Sequence, residues 1–296
     1  MSVIGTVVFV PSRMIGVFRY LLTCTRHQET SSRLEALLSP MRDERLMIHE
    51  VIKEMIRMGM CCENKYDSGD SQISLAPEAM DYYALKKFDM ARLKLLTSRC
   101  LAGNLGQQEN DANHDFCLHA AWFLAQNPLL PLGDKGEVIA QLRRAFNDDE
   151  RIIKNNERYD NLRYWMRFLG LGWEYASDKM PLLFVPDPSE YFEMALAELF
   201  VGEKRLTLYE FFQRLSRQFP LFPGGGWHGE AQKAVAAMPS PDHLPHAVGF
   251  ALLRLQQQQQ IRLEHLADAP HTYVISEDTL TWNYSYIERL QSMEAR

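Results

Sequence analysis

The stretch that most constrains the fold spans residues 43–75, DERLMIHEVIKEMIRMGMCCENKYDSGDSQISL. Ile48, Val51, Ile52, Met55 and Ile56 recur at three- and four-residue spacing, which predicts a helix with one apolar face. Gly59 stops that helix where a left-handed cap costs least. Residues 60–63 and 72–75 are expected as short strands joined by the turn formers Asn64, Asp67, Gly69 and Asp70. Helix, glycine stop and polar-tipped hairpin make up the second half of a winged-helix module, a variant of the helix-turn-helix.

The segment before it supplies the first half. Residues 3–10 are apolar and read as a buried strand; the run is too short for a membrane span and lacks the preceding basic residues of a signal peptide. Pro11 and Ser12 open a helix with Met14, Ile15, Phe18, Leu21 and Leu22 on one face. Thr30, Ser31 and Ser32 precede a short helix carrying Leu34, Leu37 and Leu38, which Pro40 ends.

The same order returns further along. In residues 158–188, Leu162, Trp165, Met166 and Leu169 form an apolar helix face, Gly170 and Gly172 stop it, and residues 173–176 and 182–185 can pair as a hairpin. A third occurrence is expected from a helix at 206–219, a helix at 243–259, and strands 261–266 and 272–275 paired around Asp268, Ala269 and Pro270. Residues 278–290, with Trp282, Tyr286, Ile287 and Leu290, read as a closing helix. Helices are also expected at 78–101, 115–125, 136–146 and 190–200. The predicted fold class is therefore mainly α with small β-hairpins (α+β), built as tandem winged-helix modules joined by helical segments. The expected division is an N-terminal winged-helix domain at 1–77, a helical linker plus middle winged-helix-like domain at 78–200, and a C-terminal winged-helix-like domain at 201–296.

Charge limits the functions open to such a chain. Its 296 residues carry a net charge of −6, which excludes coating nucleic acid by charge alone, so a DNA contact needs a local basic patch. Arg42, Arg45, His49, Lys53 and Arg57 form one stripe opposite the Ile48, Val51 and Met55 core face. Asp43, Glu50 and Glu54 flank that stripe, so a phosphate-facing surface and an ordinary solvated helix face both remain open. The hairpin tip has Lys65 against Asp67 and Asp70, a poor minor-groove arm. A second basic cluster comprises Arg143, Arg144, Arg151, Lys154, Arg158, Arg163 and Arg167, with Tyr159 and Tyr164 among them. Asp148, Asp149 and Glu150 dilute it, and salt bridges between helices are the competing explanation. In the third module Arg254 and the run Gln256 to Gln260 suit a protein contact better than phosphate.

No pattern for catalysis or metal binding emerges. Cys24, Cys61, Cys62, Cys100 and Cys117 are odd in number and irregularly spaced, as expected of reduced thiols in a cytoplasmic protein. His114, Cys117 and His119, and likewise His243 and His246, lack zinc-site spacing, so no metal or cofactor is expected. The loop 220–226 has three glycines but no P-loop pattern, and no GxSxG or GxGxxG motif occurs. Asp187 and Glu190 beside a strand hint at a nuclease core, yet no lysine follows at short range.

Residues 169–188, LGLGWEYASDKMPLLFVPDP, and 7–22, VVFVPSRMIGVFRYLL, resemble the DpdG-like winged-helix component of bacterial gene clusters that place 7-deazaguanine derivatives in DNA and restrict unmodified DNA. The resemblance implies partners among the cluster's helicase, nuclease or ATPase subunits, and it transfers no catalytic residue. The expected function is thus a non-enzymatic subunit of an anti-phage defence or DNA-modification system that binds or positions double-stranded DNA. The alternative is an adaptor whose modules bind other subunits of such a complex. A promoter-reading regulator is harder to support, because such readers are symmetric dimers and no zipper pattern is present.

Overall fold

The computed structural model describes residues 3–5, 8–39, 45–66, 70–84, 87–103, 113–147, 153–177, 180–234, 242–277 and 280–290. The chain is mainly α-helical with small antiparallel sheets, and it divides into two compact units, Met1–His114 and Asp115–Arg296.

The first unit opens with α1 (Pro11–Thr23), whose proline sits where a helix needs no N–H, and which buries Met14, Val17, Phe18, Leu21 and Leu22. A three-residue strand, β1 (Gln28–Thr30), leads into α2 (Ser31–Leu38), which buries only Leu34. The helix α3 (Arg45–Arg57) buries Ile48, Val51, Ile52 and Met55, each such side chain contributing about 1.5–3 kcal/mol. Gly59 ends it at φ 75°, and the Met60 N–H donates to the Met55 carbonyl at 2.9 Å, which closes a left-handed cap. The chain then forms β2 (Cys61–Lys65) and β3 (Ser71–Leu75), in register from Cys61 opposite Leu75 to Lys65 opposite Ser71. Because β1 pairs with β3, the sheet order is β1-β3-β2. Two further helices, α4 (Pro77–Tyr83) and α5 (Met90–Leu101), complete this unit, the second capped by Asp89 accepting from the Arg92 N–H at 2.7 Å.

The second unit repeats that threading twice. Its first run comprises α6 (His114–Leu124), a single bridge at Leu132, α7 (Lys135–Ala145), α8 (Asn156–Leu169), β4 (Gly172–Ser177) and β5 (Met180–Pro186). Asp134 and Asn155 cap α7 and α8, and Gly170 at φ 76° ends α8. Leu132 pairs with Phe184 of β5, so the strand positions again run first, third, second. The second run begins with α9 (Ser189–Leu199), followed by β6 (Arg205–Thr207) and α10 (Leu208–Gln218). After α11 (Gly226–Ala234) come α12 (His246–Gln257), β7 (Ile261–Glu264), a hairpin of β8 (Tyr273–Glu277) and β9 (Leu280–Tyr284), and finally β10 (Tyr286–Arg289). The sheet order is β6-β10-β7, once more first, third, second. Buried aromatics fill both halves: Phe116, Phe123, Tyr159 and Phe184 in one, Tyr191, Phe192, Phe211 and Phe222 in the other.

Four expectations are corrected. Val3 to Gly5 form a turn and Val8 to Val10 are irregular, so the described part of the N-terminal run is no strand, although Val3, Ile4 and Phe9 are buried as expected. The helix expected at 206–219 starts two residues later, as α10, because Leu206 belongs to β6 and Thr207 forms a capping box with Glu210. The strands at 261–264 and 273–277 do not pair with each other; β7 pairs with β10, and β8 with β9. The closing helix is absent, since described residues 280–289 form two strands. Among the described residues no helix is long and apolar enough to cross a membrane.

Candidate nucleic-acid interface

Sequence reasoning offered two candidate DNA surfaces, the basic stripe of α3 and the arginine cluster on α7 and α8, against ordinary solvated or salt-bridged faces. On α3, His49 is exposed and its Nδ1 lies 3.1 Å from Glu35 Oε1, and the Lys53 ammonium is exposed 3.7 Å from Glu50. Arg57 is different: it is half-buried, pairs at 2.6 Å with the buried Glu54, and comes within 3.5 Å of Asn113 Oδ1. Arg42 lies outside the described residues, and so does the side chain of Arg45 at the start of α3. His49 and Lys53 are therefore the members of the first stripe that the described surface offers to solvent.

In the second cluster the cations separate into two kinds. Arg143 and Arg144 are exposed in the last turn of α7, where positive charge complements the helix C-terminus, and Arg144 Nε donates to the Ala140 carbonyl at 3.3 Å. Arg158 is half-buried in the first turn of α8. Arg163 faces inward, with a side chain only 7% exposed, and joins Asp160 at 2.5 Å to Glu174 of β4 at 2.9 Å. Its guanidinium also lies 5.1 Å over the Tyr159 ring. Burial acts to raise the Asp160 pKa, but hydrogen bonds from Lys135 and Arg163 outweigh it and hold the carboxyl below the usual carboxylate range. Arg167 pairs with Glu174 as well, though half of its side chain stays in solvent. Arg163 and Arg167 thus tie α8 to the hairpin that follows it, and Arg163 is not placed to reach a phosphate.

A different site emerges beside α12. A groove of about 730 Å³ lies between the β4–β5 and β8–β9 hairpins, with α12 alongside. Trp173 and Tyr175 alternate on β4, and Trp282 and Tyr284 on β9, so each pair projects from one face of its strand. Phe250, Leu253, Arg254 and Gln257 of α12 follow i, i+3, i+4, i+7 spacing and present one helical stripe to the same space. The buried Asp187 carboxylate fixes two of these groups, accepting from Trp173 Nε1 at 3.3 Å and from the Arg254 guanidinium on the same oxygen. Its other oxygen accepts from the Ser189 N–H at 3.0 Å and from the Ser189 hydroxyl, which anchors the start of α9. The two carboxylates that hinted at a nuclease are thereby separated in role, with Asp187 spent on internal bonds. Among the described residues no three His, Cys, Asp or Glu side chains converge as metal ligands. Sequence reasoning missed the groove, although Trp-x-Tyr occurs at 173–175 and again at 282–284.

The chain is thus a mainly α protein with small antiparallel sheets, in two compact units, the second of which carries an aromatic groove. The sequence matches the DpdG-like family over residues 1–269 of its 296, and the chain belongs to that family. Membership ties it to a DNA-modification system at the level of the system. No curated protein matches the sequence.

Proposed function

We propose that the chain is a non-enzymatic subunit that positions double-stranded DNA for a modification and restriction system, and that its three repeated units are winged helices. The observation that carries this reading is the threading itself: helix, strand, helix, helix, strand, strand, with the strands ordered first, third, second, met once in full, once with a single bridge as its first strand, and once with α11 and the β8–β9 hairpin added. A winged helix uses that order to present its third helix to a duplex and its hairpin to the flanking backbone. Lys53 on α3 and Arg143 with Arg144 on α7 are exposed cations of the two basic clusters. Fluorescence anisotropy of a labelled duplex, titrated at increasing salt, tests it. The wild type should bind with a negative salt slope, and Lys53→Glu and the Arg143→Glu/Arg144→Glu pair should each flatten that slope by about one per lost contact. Identical slopes for all three proteins would end the DNA reading.

A second reading is favoured by one specific observation. His49, Arg57, Arg163 and Arg167 all face carboxylates of the same chain, in a molecule of net charge −6. Surfaces neutralised in this way suit an adaptor that docks helicase, nuclease or ATPase subunits. Stoichiometric co-purification of such a partner, with no duplex retained by the isolated chain at low salt, selects that reading over the first.

A further inference from the structure

We propose that the groove between the β4–β5 and β8–β9 hairpins binds unpaired bases of single-stranded DNA, stacking them on Trp173, Tyr175, Trp282 and Tyr284. The inference rests on the DNA-handling role proposed above for its choice of a nucleic-acid strand, and it assigns that role a second site distinct from the helical faces.

Three features of the groove carry it. The first is the arrangement of rings. Alternate residues of a strand stand roughly 6.6 Å apart on one face, so each Trp-x-Tyr pair is a two-ring platform, and the groove holds two such platforms on facing hairpins. Aromatic pairs on strands are how sequence-tolerant single-strand binders hold successive bases, because every base offers a π-face. The second is exposure. Trp173 is 45% and Tyr175 48% exposed, far more than a Trp or Tyr needed for core packing retains.

The third feature is charge. The described lining contains one cation, Arg254, and no carboxylate, in a chain whose net charge is −6. Glu174, between Trp173 and Tyr175 in sequence, points to the opposite face of β4, where Arg163 and Arg167 hold it. The nearest acid is the buried Asp187, which Arg254 neutralises, so the lining presents no unpaired carboxylate to a polyanionic strand. Arg254 keeps 43% of its side chain in solvent while Asp187 orients it, so it can approach a phosphate or stack on a base edge. The Gln257 amide, exposed on the same stripe of α12, supplies a donor and an acceptor for base edges. An aromatic groove can also hold a proline-rich peptide, and the titration below separates the two ligands.

The full-length protein is titrated with a short oligothymidylate while its tryptophan fluorescence is followed, since Trp173 and Trp282 both stand in the groove. The strand should quench that fluorescence. Tyr175→Ala and Trp282→Ala should each weaken binding by about 5- to 100-fold, the range for losing a stacked base, whereas Tyr175→Phe should stay within about twofold of wild type. Tyr175 is half exposed and holds no core position, so its truncation leaves the fold intact. Duplex binding by the same variants should match wild type. Absence of quenching, or alanine variants that bind the strand as tightly as wild type, overturns the inference. Thymidine monophosphate or a polyproline peptide saturating the groove as tightly as the strand overturns it too. Loss of the oligothymidylate result with salt-sensitive duplex binding intact removes this inference alone; loss of both removes the DNA reading with it.

Discussion

Arg163→Met distinguishes a structural arginine from a phosphate contact. Breaking a buried ion pair by removing one partner costs about 3–5 kcal/mol, because the remaining charge is left uncompensated. Arg163 is buried enough for that range to apply, but both of its carboxylates keep a second cation. Lys135 stays 2.7 Å from Asp160, and Arg167 stays on Glu174. Methionine also keeps the apolar stem in contact with its surroundings. The expected loss is therefore about 2–3 kcal/mol, at or just below the lower limit of that range. Arg167→Met removes a pair whose cation is 49% exposed, and the loss should stay below about 1 kcal/mol. Urea unfolding followed by circular dichroism should move the Arg163→Met midpoint down at constant slope and leave Arg167→Met close to wild type. Folded Arg163→Met should also keep the wild-type salt slope for duplex DNA. An unshifted midpoint together with a salt slope reduced by about one would refute the reasoning and return Arg163 to the DNA-contacting set.

Two further outcomes follow from close packing and from a shifted histidine. At Gly172 a methyl group would stand 2.5 Å from Phe184 Cζ and 2.7 Å from the Val185 carbonyl oxygen, so Gly172→Ala should cost about 1–3 kcal/mol, read as a lowered melting temperature that Phe184→Leu partly restores. A Gly172→Ala protein that melts with wild type would show that the approach is not so tight. Burial lowers the pKa of His228 on α11 from 6.5 to about 4, so between those values the unfolded chain binds a proton that the folded chain refuses. Stability should be constant above pH about 6.5 and fall as pH drops toward about 4, by no more than about 3 kcal/mol, and His228→Gln should remove that portion of the slope in denaturant midpoints measured across the range.

How far the sequence revealed the fold depended on the length of each signal. The α3 helix, its Gly59 stop and the β2–β3 hairpin were legible because apolar spacing, a left-handed glycine and turn residues all agree within thirty-odd positions. The strands β1 and β6, three residues each, and the single Leu132 bridge were not, since so few residues show no period and exist only through pairing with a distant strand. Residues 280–289 were misread for another reason. Trp282 and Tyr286 are four apart, a spacing that helices and strands share, and the Thr, Trp, Tyr and Ile content should have decided for strand. The basic clusters were visible, but their partners were not. Glu174 reaches Arg163 and Arg167 only because a glycine turn folds β4 back beside α8, and charge spacing along one helix cannot register that.

The same geometry explains why the third repeat should differ in use from the first. On α3 the outward face retains His49 and Lys53 beside solvent, the surface a duplex needs. On α12 the stripe Phe250, Leu253, Arg254 and Gln257 lines the groove formed with the β4–β5 and β8–β9 hairpins. The β8–β9 hairpin is inserted between β7 and β10, which pair as β2 and β3 do in the first unit, and it brings Trp282 and Tyr284 to the groove. A helix flanked by two hairpins is hindered from lying in a major groove about 12 Å wide, while its exposed Arg254 and Gln257 still face the groove proposed for one extended strand. If the groove holds a single strand as proposed, deleting β8 and β9 should abolish oligothymidylate quenching while leaving the Lys53-dependent duplex affinity in place.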